Sequence, residues 1–198
     1  MSPTSSGSSS RRWIRRSGPS ALVLTIGHST RSLDELVDLL RRHSVGLLAD
    51  VRSIPASRRM PHFAKAALEK SLPDQGIDYV HMPELGGLRK PQNRSVNTGL
   101  HNAGFRGYAD YMQTVEFKRG VDSLLSLSEG VSRRVAVMCA EAVPWRCHRS
   151  LLSDALTVRG HEVRHITGKG EPALHSLNQL AVVVAGRITY PPPDTLPI

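Results

Sequence analysis

The sequence predicts an α/β protein of three layers, with a mostly parallel, Rossmann-like sheet and helices on both of its faces. Three observations predict this. Continuous apolar runs of strand length recur at residues 21–26, 45–51 and 135–138, as strands covered on both faces require. Between the first two lies a helical repeat of Leu33, Leu36, Val37 and Leu40, opened by Ser32 and Glu35 at capping-box spacing. A strand, a helix and a strand within so short a span make a βαβ unit, which sets the strands parallel with a right-handed crossover.

Residues 1–20 are Ser-rich and polar, with Arg11, Arg12, Arg15 and Arg16 and no acid, so they are expected to form a disordered basic arm. Ser10-Arg11-Arg12 ahead of an apolar run has a faint likeness to a twin-arginine export signal. The run is too short and meets Gly27-His28 at once, so that interpretation is set aside. The first strand exits at Gly27-His28-Ser29-Thr30 and the second ends at Asp50-Val51-Arg52-Ser53. Next comes a loop with Arg52, Arg58 and Arg59, Ser53 and Ser57, and no acid, a composition suited to an anion.

A helical stretch over 63–72 and a shorter alternating strand over 77–82 follow. A Gly/Asn/Arg-rich segment over 84–104 is long enough for a functional lid or disorder. Two helical pieces cover 105–127, with Tyr108, Tyr111 and Met112 on one and Val121, Leu124 and Leu125 on the other. The strand at 135–138 leads into Cys139, Glu141, Cys147, His148 and Arg149, and a helix is expected from near Pro144, which suits a first turn. Leu151, Leu152, Ala155 and Leu156 give its buried face and Gly160 its stop. A last strand is expected at 161–166 and a terminal helix at 171–180. A single folded domain over 21–185 is then followed by a Pro-rich tail from 186.

The formal charge of +9 divides into +4 on the arm and +5 on the rest, where 22 basic residues face 17 acidic ones. This raises the odds of an anionic partner, either a small molecule or a nucleic acid, and does not choose between them. Two cysteines make no disulfide framework, and no apolar run approaches a bilayer span, so a cytoplasmic setting without membrane contact is expected. Oligomeric state is left open.

Parallel strands end at one edge, so His28-Ser29, Asp50-Arg52-Ser53, His81 and Cys139-Glu141 should converge there. Cys147 is the sharpest candidate nucleophile, because Arg146, Arg149 and a helix start would stabilise its thiolate. Against this stands its use as a small buried apolar group. His148 is expected to be a poor base for Cys147, since adjacent helical residues diverge by about 100°. That leaves Glu141, His28 or His81 as the base.

Arg52, Ser53, Ser57, Ser29, His148 and Arg149 are the candidate substrate-binding residues, and Asp50 is expected to anchor Arg52. Core packing is the plainer expectation for Cys139, and a Cys139–Cys147 disulfide is not decidable from spacing. No metal or other cofactor is expected, since the Cys139/Cys147 spacing fits no familiar pattern and Cys147 and His148 should diverge. Gly86 and Gly87 are expected to supply positive φ in a tight turn. Tyr108 and Tyr111 fit core packing better than base stacking.

The ordered motifs resemble those of the domain of unknown function 488 family. They are Thr25-Ile26-Gly27-His28-Ser29, Asp50-Val51-Arg52-Ser53-Ile54-Pro55-Ala56-Ser57, Leu85-Gly86-Gly87, Tyr108-Ala109-Asp110-Tyr111-Met112, and Met138-Cys139-Ala140-Glu141 with Cys147-His148-Arg149. The resemblance runs from about residue 24 to 166 and implies a three-layer, Rossmann-like α/β fold. It implies no established reaction. An enzyme for a phosphorylated or nucleotide-like substrate is the favoured function. A non-catalytic nucleic-acid-binding module is the alternative, and a thiol redox protein a lesser one.

Overall fold

The computed structural model describes residues 21–56, 59–129 and 134–193, so the expected arm and Ser57 lie outside the described residues. Strand β1 (Leu22–Gly27) is followed by helix α1 (Leu33–Arg42) and strand β2 (Val45–Asp50). The capping box is present: the Ser32 hydroxyl accepts from Glu35 N at 3.1 Å, and Ser32 N donates to the Glu35 carboxylate at 2.7 Å. Helix α2 (Lys65–Ser71) and strand β3 (Asp78–His81) come next, then α3 (Ala103–Tyr111), α4 (Val115–Glu129), β4 (Arg134–Cys139), α5 (Arg149–Val158) and β5 (Glu162–Ile166). Short strands β6 (Ala173–Leu174), β7 (Val182–Val184) and β8 (Arg187–Thr189) close the chain.

The sheet order is β3-β2-β4-β1-β5-β6, with β1 to β5 parallel and β6 antiparallel on the edge. Strand β4 lies between β1 and β2, so the first βαβ unit brackets the strand that carries Cys139. Side chains alternate across the sheet. Val23, Leu47, Ala49, Val135, Val137 and Cys139 face α3, α4 and α5, while Leu24, Ile26, Leu48, Ala136 and Met138 face α1 and α2. This two-residue period builds two apolar cores and hence three layers. No helix among the described residues is long and apolar enough to cross a membrane.

Three sequence expectations are corrected. The helix after β4 does not begin at Pro144: Pro144–Arg146 is a single 3-10 turn, Cys147 is extended (φ −126°, ψ 147°), and α5 starts at Arg149. No helix forms over 171–180, where β6 pairs with β5 and His175 N donates to Val163 O instead. The expected boundary at 185/186 falls inside the β7–β8 hairpin, and Tyr190 beyond it is fully buried, its OH donating to Asp154 at 2.8 Å. A buried aromatic hydroxyl with a carboxylate partner anchors this segment against the core.

The 84–104 segment is tied down. Asp110 accepts from Gln92 N, the Ser95 hydroxyl and the Asn97 amide at 2.6 to 2.8 Å, and Asn97 in turn accepts from Tyr190 N at 2.9 Å.

Candidate functional site

The parallel strands bring the predicted residues to one edge. His28 N donates to Cys139 O and Ser29 N to Ala140 O, both at 2.9 Å, and His81 donates to Arg52 O at 2.8 Å. Gly27 makes this approach feasible, because a Cβ there would lie 1.9 Å from the Glu141 carbonyl oxygen. Within the gathered group, however, the side chains divide into those already committed to one another and those that remain available.

Arg52 is committed. Its guanidinium donates to both Asp50 carboxylate oxygens (2.8 and 2.5 Å), to Phe63 O (2.8 Å) and to His28 Nε2 (3.2 Å). Asp50 is fully buried and also accepts from the Tyr79 hydroxyl at 2.7 Å. A buried carboxylate at a strand end requires such a partner. Burial and the bond to Asp50 push the Tyr79 hydroxyl up. His28 is likewise committed: it stacks on Phe63 with centroids 4.2 Å apart, and its Nδ1 donates to Ser29 O at 2.9 Å while Nε2 accepts from Arg52. Burial first and Arg52 second lower its pKa to about 4, so the ring is neutral at neutral pH.

Ser53 and Arg149 also face inward. The Ser53 hydroxyl accepts from Leu88 N at 3.2 Å and fills the space where a Gly86 Cβ would stand. Arg149, 1% exposed, donates to the main-chain oxygens of Glu141 (2.6 Å) and Ala142 (3.4 Å) and to the Thr25 hydroxyl (3.3 Å). Ser29 turns the chain with φ 52°. Glu141 makes no ion pair with Arg149 or Arg52 among the described residues; its carboxylate accepts from Val143 N at 3.2 Å and is half-buried.

What remains available is a cluster of Cys139, Cys147 and His148, whose Sγ and Nδ1 atoms all lie within 4.8 Å of one another. His148 Nδ1 is 3.6 Å from Cys147 Sγ and 3.9 Å from Cys139 Sγ. The predicted divergence of Cys147 and His148 does not occur, because Cys147 is extended and the helix has not yet begun. The chain changes from extended at Cys147 to helical at His148 (φ −54°, ψ −18°), so neither the helical nor the strand spacing of neighbours applies, and the ring folds back over the sulfurs. The Cys147 thiol is lowered to about 6, chiefly by a hydrogen bond from Cys139 and then, against the cost of burial, by the charge of Arg149. Cys139 moves the opposite way, pushed up to about 12 by the same bond and by burial. The two sulfurs are one coupled pair that favours a single shared proton, the charge drawn toward Cys147 beside Arg149 and the S–H toward Cys139. Both are free thiols.

The family described as Domain of unknown function DUF488 matches residues 32–156. The chain belongs to that family. No curated protein and no solved structure matches it. The DUF488 match runs from the cap of α1 into α5, so it takes in Asp50, Arg52, Gly86, Gly87 and the Cys-Cys-His cluster, whereas β1 with His28 lies before it.

Gly86 and Gly87 in this DUF488 chain do not serve positive φ, contrary to expectation: Gly86 has φ −75°, and Gly87 is not among the positive-φ glycines. They serve close approach. A Cβ on Gly87 would sit 2.3 Å from His148 Nδ1, so the bare backbone lets the ring lie where it meets the sulfurs. Tyr108 packs on the same ring at 5.0 Å, its hydroxyl bonded to Leu85 O, as core packing requires. Arg89 lies 3.7 Å over the Tyr111 ring.

Sequence reasoning missed a buried relay behind the cluster. Arg149 donates to the Thr25 hydroxyl, which is hydrogen-bonded to His165 Nδ1 (2.7 Å); His165 Nε2 is hydrogen-bonded to His175 Nδ1 (2.9 Å), and His175 Nε2 donates to Asp154 (2.8 Å). Burial first, then His175 and Arg149, lower His165 to about 4, so its ring is neutral at neutral pH. The only sequence signal was Asp154 on the apolar face of α5, too common an event to point to partners on β1, β5 and the segment after it.

Proposed function

We propose that the protein is an enzyme acting on a phosphorylated or nucleotide-like anion, with Cys147 as the nucleophile. The observation that supports this best is the meeting of Cys147 Sγ, Cys139 Sγ and His148 Nδ1 at the strand edge where α/β sheets bind ligands. Cys139 holds the Cys147 thiolate by donating its S–H. His148 Nδ1, 3.6 Å from the nucleophile, delivers or removes the proton of the reaction, and half-buried Glu141 at the same edge is a second acid or base.

His28, Arg52, Ser53 and Arg149 act behind the site as positioning residues, with Arg149 adding positive charge near the sulfur. Substrate charge is met by exposed Arg59, Lys90, Arg94 and Arg146 on the loops after β2, β3 and β4. On the same loops Trp145 (73% exposed), Leu88 and Ile54 offer an apolar surface against which a base can lie.

The test is to incubate the full chain with nucleoside phosphates and sugar phosphates, following turnover and intact mass. The expected result is turnover that Cys147→Ser abolishes with its melting temperature kept, and a covalent adduct on Cys147 that accumulates in His148→Gln. Turnover surviving in Cys147→Ser would remove the nucleophile assignment. Nucleic-acid binding without catalysis draws on the same basic loops and Trp145. Affinity for mixed DNA and RNA falling steeply with salt, with no turnover of any phosphate, would favour it.

A further inference from the structure

We infer that Cys139, Cys147 and His148 form a binding site for a borderline-soft divalent cation of the zinc type. The donor set is two sulfurs and an imidazole nitrogen, which selects against the hard, oxygen-seeking cations. The spacing fits as well. Zinc–sulfur bonds of about 2.3 Å and zinc–nitrogen bonds of about 2.0 to 2.1 Å at tetrahedral angles require sulfur–nitrogen edges of roughly 3.6 Å. The two sulfur–nitrogen edges present are 3.6 and 3.9 Å and all three atoms lie within 4.8 Å of one another, so a cation is seated as the sulfurs draw to the tetrahedral separation of about 3.8 Å.

The surroundings hold these three atoms in place. Cys139 ends a central strand, and His148 precedes α5 by one residue. The His148 ring presents Nδ1 to both sulfurs, so Nδ1 is the nitrogen it offers, while its Nε2 is buried with no hydrogen-bond partner among the described residues. The absent Cβ of Gly87 leaves room at that same ligand atom. Arg149 clamps the connecting loop through the Glu141 and Ala142 carbonyls. Three protein ligands leave a fourth tetrahedral position for water or another small ligand.

This inference does not depend on the catalytic role given to Cys147, and it has a consequence for that role. A cation at the site takes the sulfur lone pair that would otherwise attack, so metal binding and thiol attack exclude each other. Zinc then acts as a reversible brake.

The test titrates the reduced, metal-free full chain with cobalt(II), then with zinc. The expected result is thiolate-to-cobalt charge-transfer absorption saturating at one equivalent and displaced by zinc, with affinity at least tenfold weaker in Cys139→Ser, Cys147→Ser and His148→Gln. Zinc should raise the wild-type melting temperature reversibly by chelator, a readout that needs no variant, and should slow alkylation of Cys147. Absence of the charge-transfer band, or a band unchanged in Cys147→Ser, overturns the site. A thiol that alkylates fast but binds no cation refutes the metal site alone, and cation binding by an unreactive thiol refutes the nucleophile alone.

Discussion

Replacing Cys139 by alanine removes the largest influence that holds Cys147 as a thiolate. In the intact protein the Cys139 S–H lowers the Cys147 thiol to about 6. Without that donor, burial works against the thiolate and only Arg149 still favours it. The Cys147 midpoint should then rise to the ordinary thiol value of about 8.5 or above, a loss of roughly 3 kcal/mol of thiolate stabilisation. The rate at a single pH conceals most of this change. At pH 7 the thiolate fraction falls from about nine tenths to about 3%, but a more basic thiolate is intrinsically faster by about tenfold, so the observed rate drops only about threefold. The assay is therefore the full pH profile of alkylation by iodoacetamide, read by peptide mass spectrometry at Cys147. Loss of one small buried side chain should cost about 1 kcal/mol of stability, leaving the variant folded. A midpoint that stays near 6 in Cys139→Ala would refute the shared-proton pair.

Three further outcomes follow from buried groups elsewhere. His28 and His165 both have pKa values of about 4 in the folded state, below the ordinary histidine value, so the unfolded chain binds more protons between about pH 6.5 and 4. Their contribution is complete above that window and lost as pH falls through it: urea midpoints should drop, and the slope should lessen by about one proton in His165→Gln; an unchanged slope contradicts a neutral His165. Asp50→Asn strips the countercharge from buried Arg52 and should cost about 3 to 5 kcal/mol in chemical denaturation, whereas a loss below about 1 kcal/mol would show the pair to be dispensable. Gly87→Ala places a Cβ 2.3 Å from His148 Nδ1, well inside ordinary contact. The ring must move, at about 1 to 3 kcal/mol, and an unchanged His148 NMR signal and melting temperature would contradict the packing described.

The layers and the parallel course of β1, β2 and β4, though not their order in the sheet, were legible because apolar runs, the Ser32/Glu35 cap and the Leu33, Leu36, Val37 and Leu40 repeat are local signals. The convergence of His28, Arg52 and Cys139 followed from strand direction alone. What was not legible depended on one backbone conformation or on distant partners. The extended geometry at Cys147, which turns His148 onto the sulfurs, reverses an inference drawn from helical spacing. Arg52 reads as an anion fork in sequence, yet Asp50, Phe63 and His28 take its donors once the chain is folded. Tyr190 looked like the edge of a tail because its partner Asp154 is 36 residues away. The Gly86-Gly87 pair looked like a turn, since the side chains it accommodates come from other strand ends.

Nucleophilic attack by Cys147 requires an unequal pair of thiols, one ionised and one not. Limited labelling of the native wild-type chain across pH, with each cysteine quantified separately, measures that inequality directly. Cys147 should react with a midpoint near 6 while Cys139 stays unmodified until the protein is unfolded. Equal labelling of both sulfurs with one midpoint near the ordinary thiol value would contradict it.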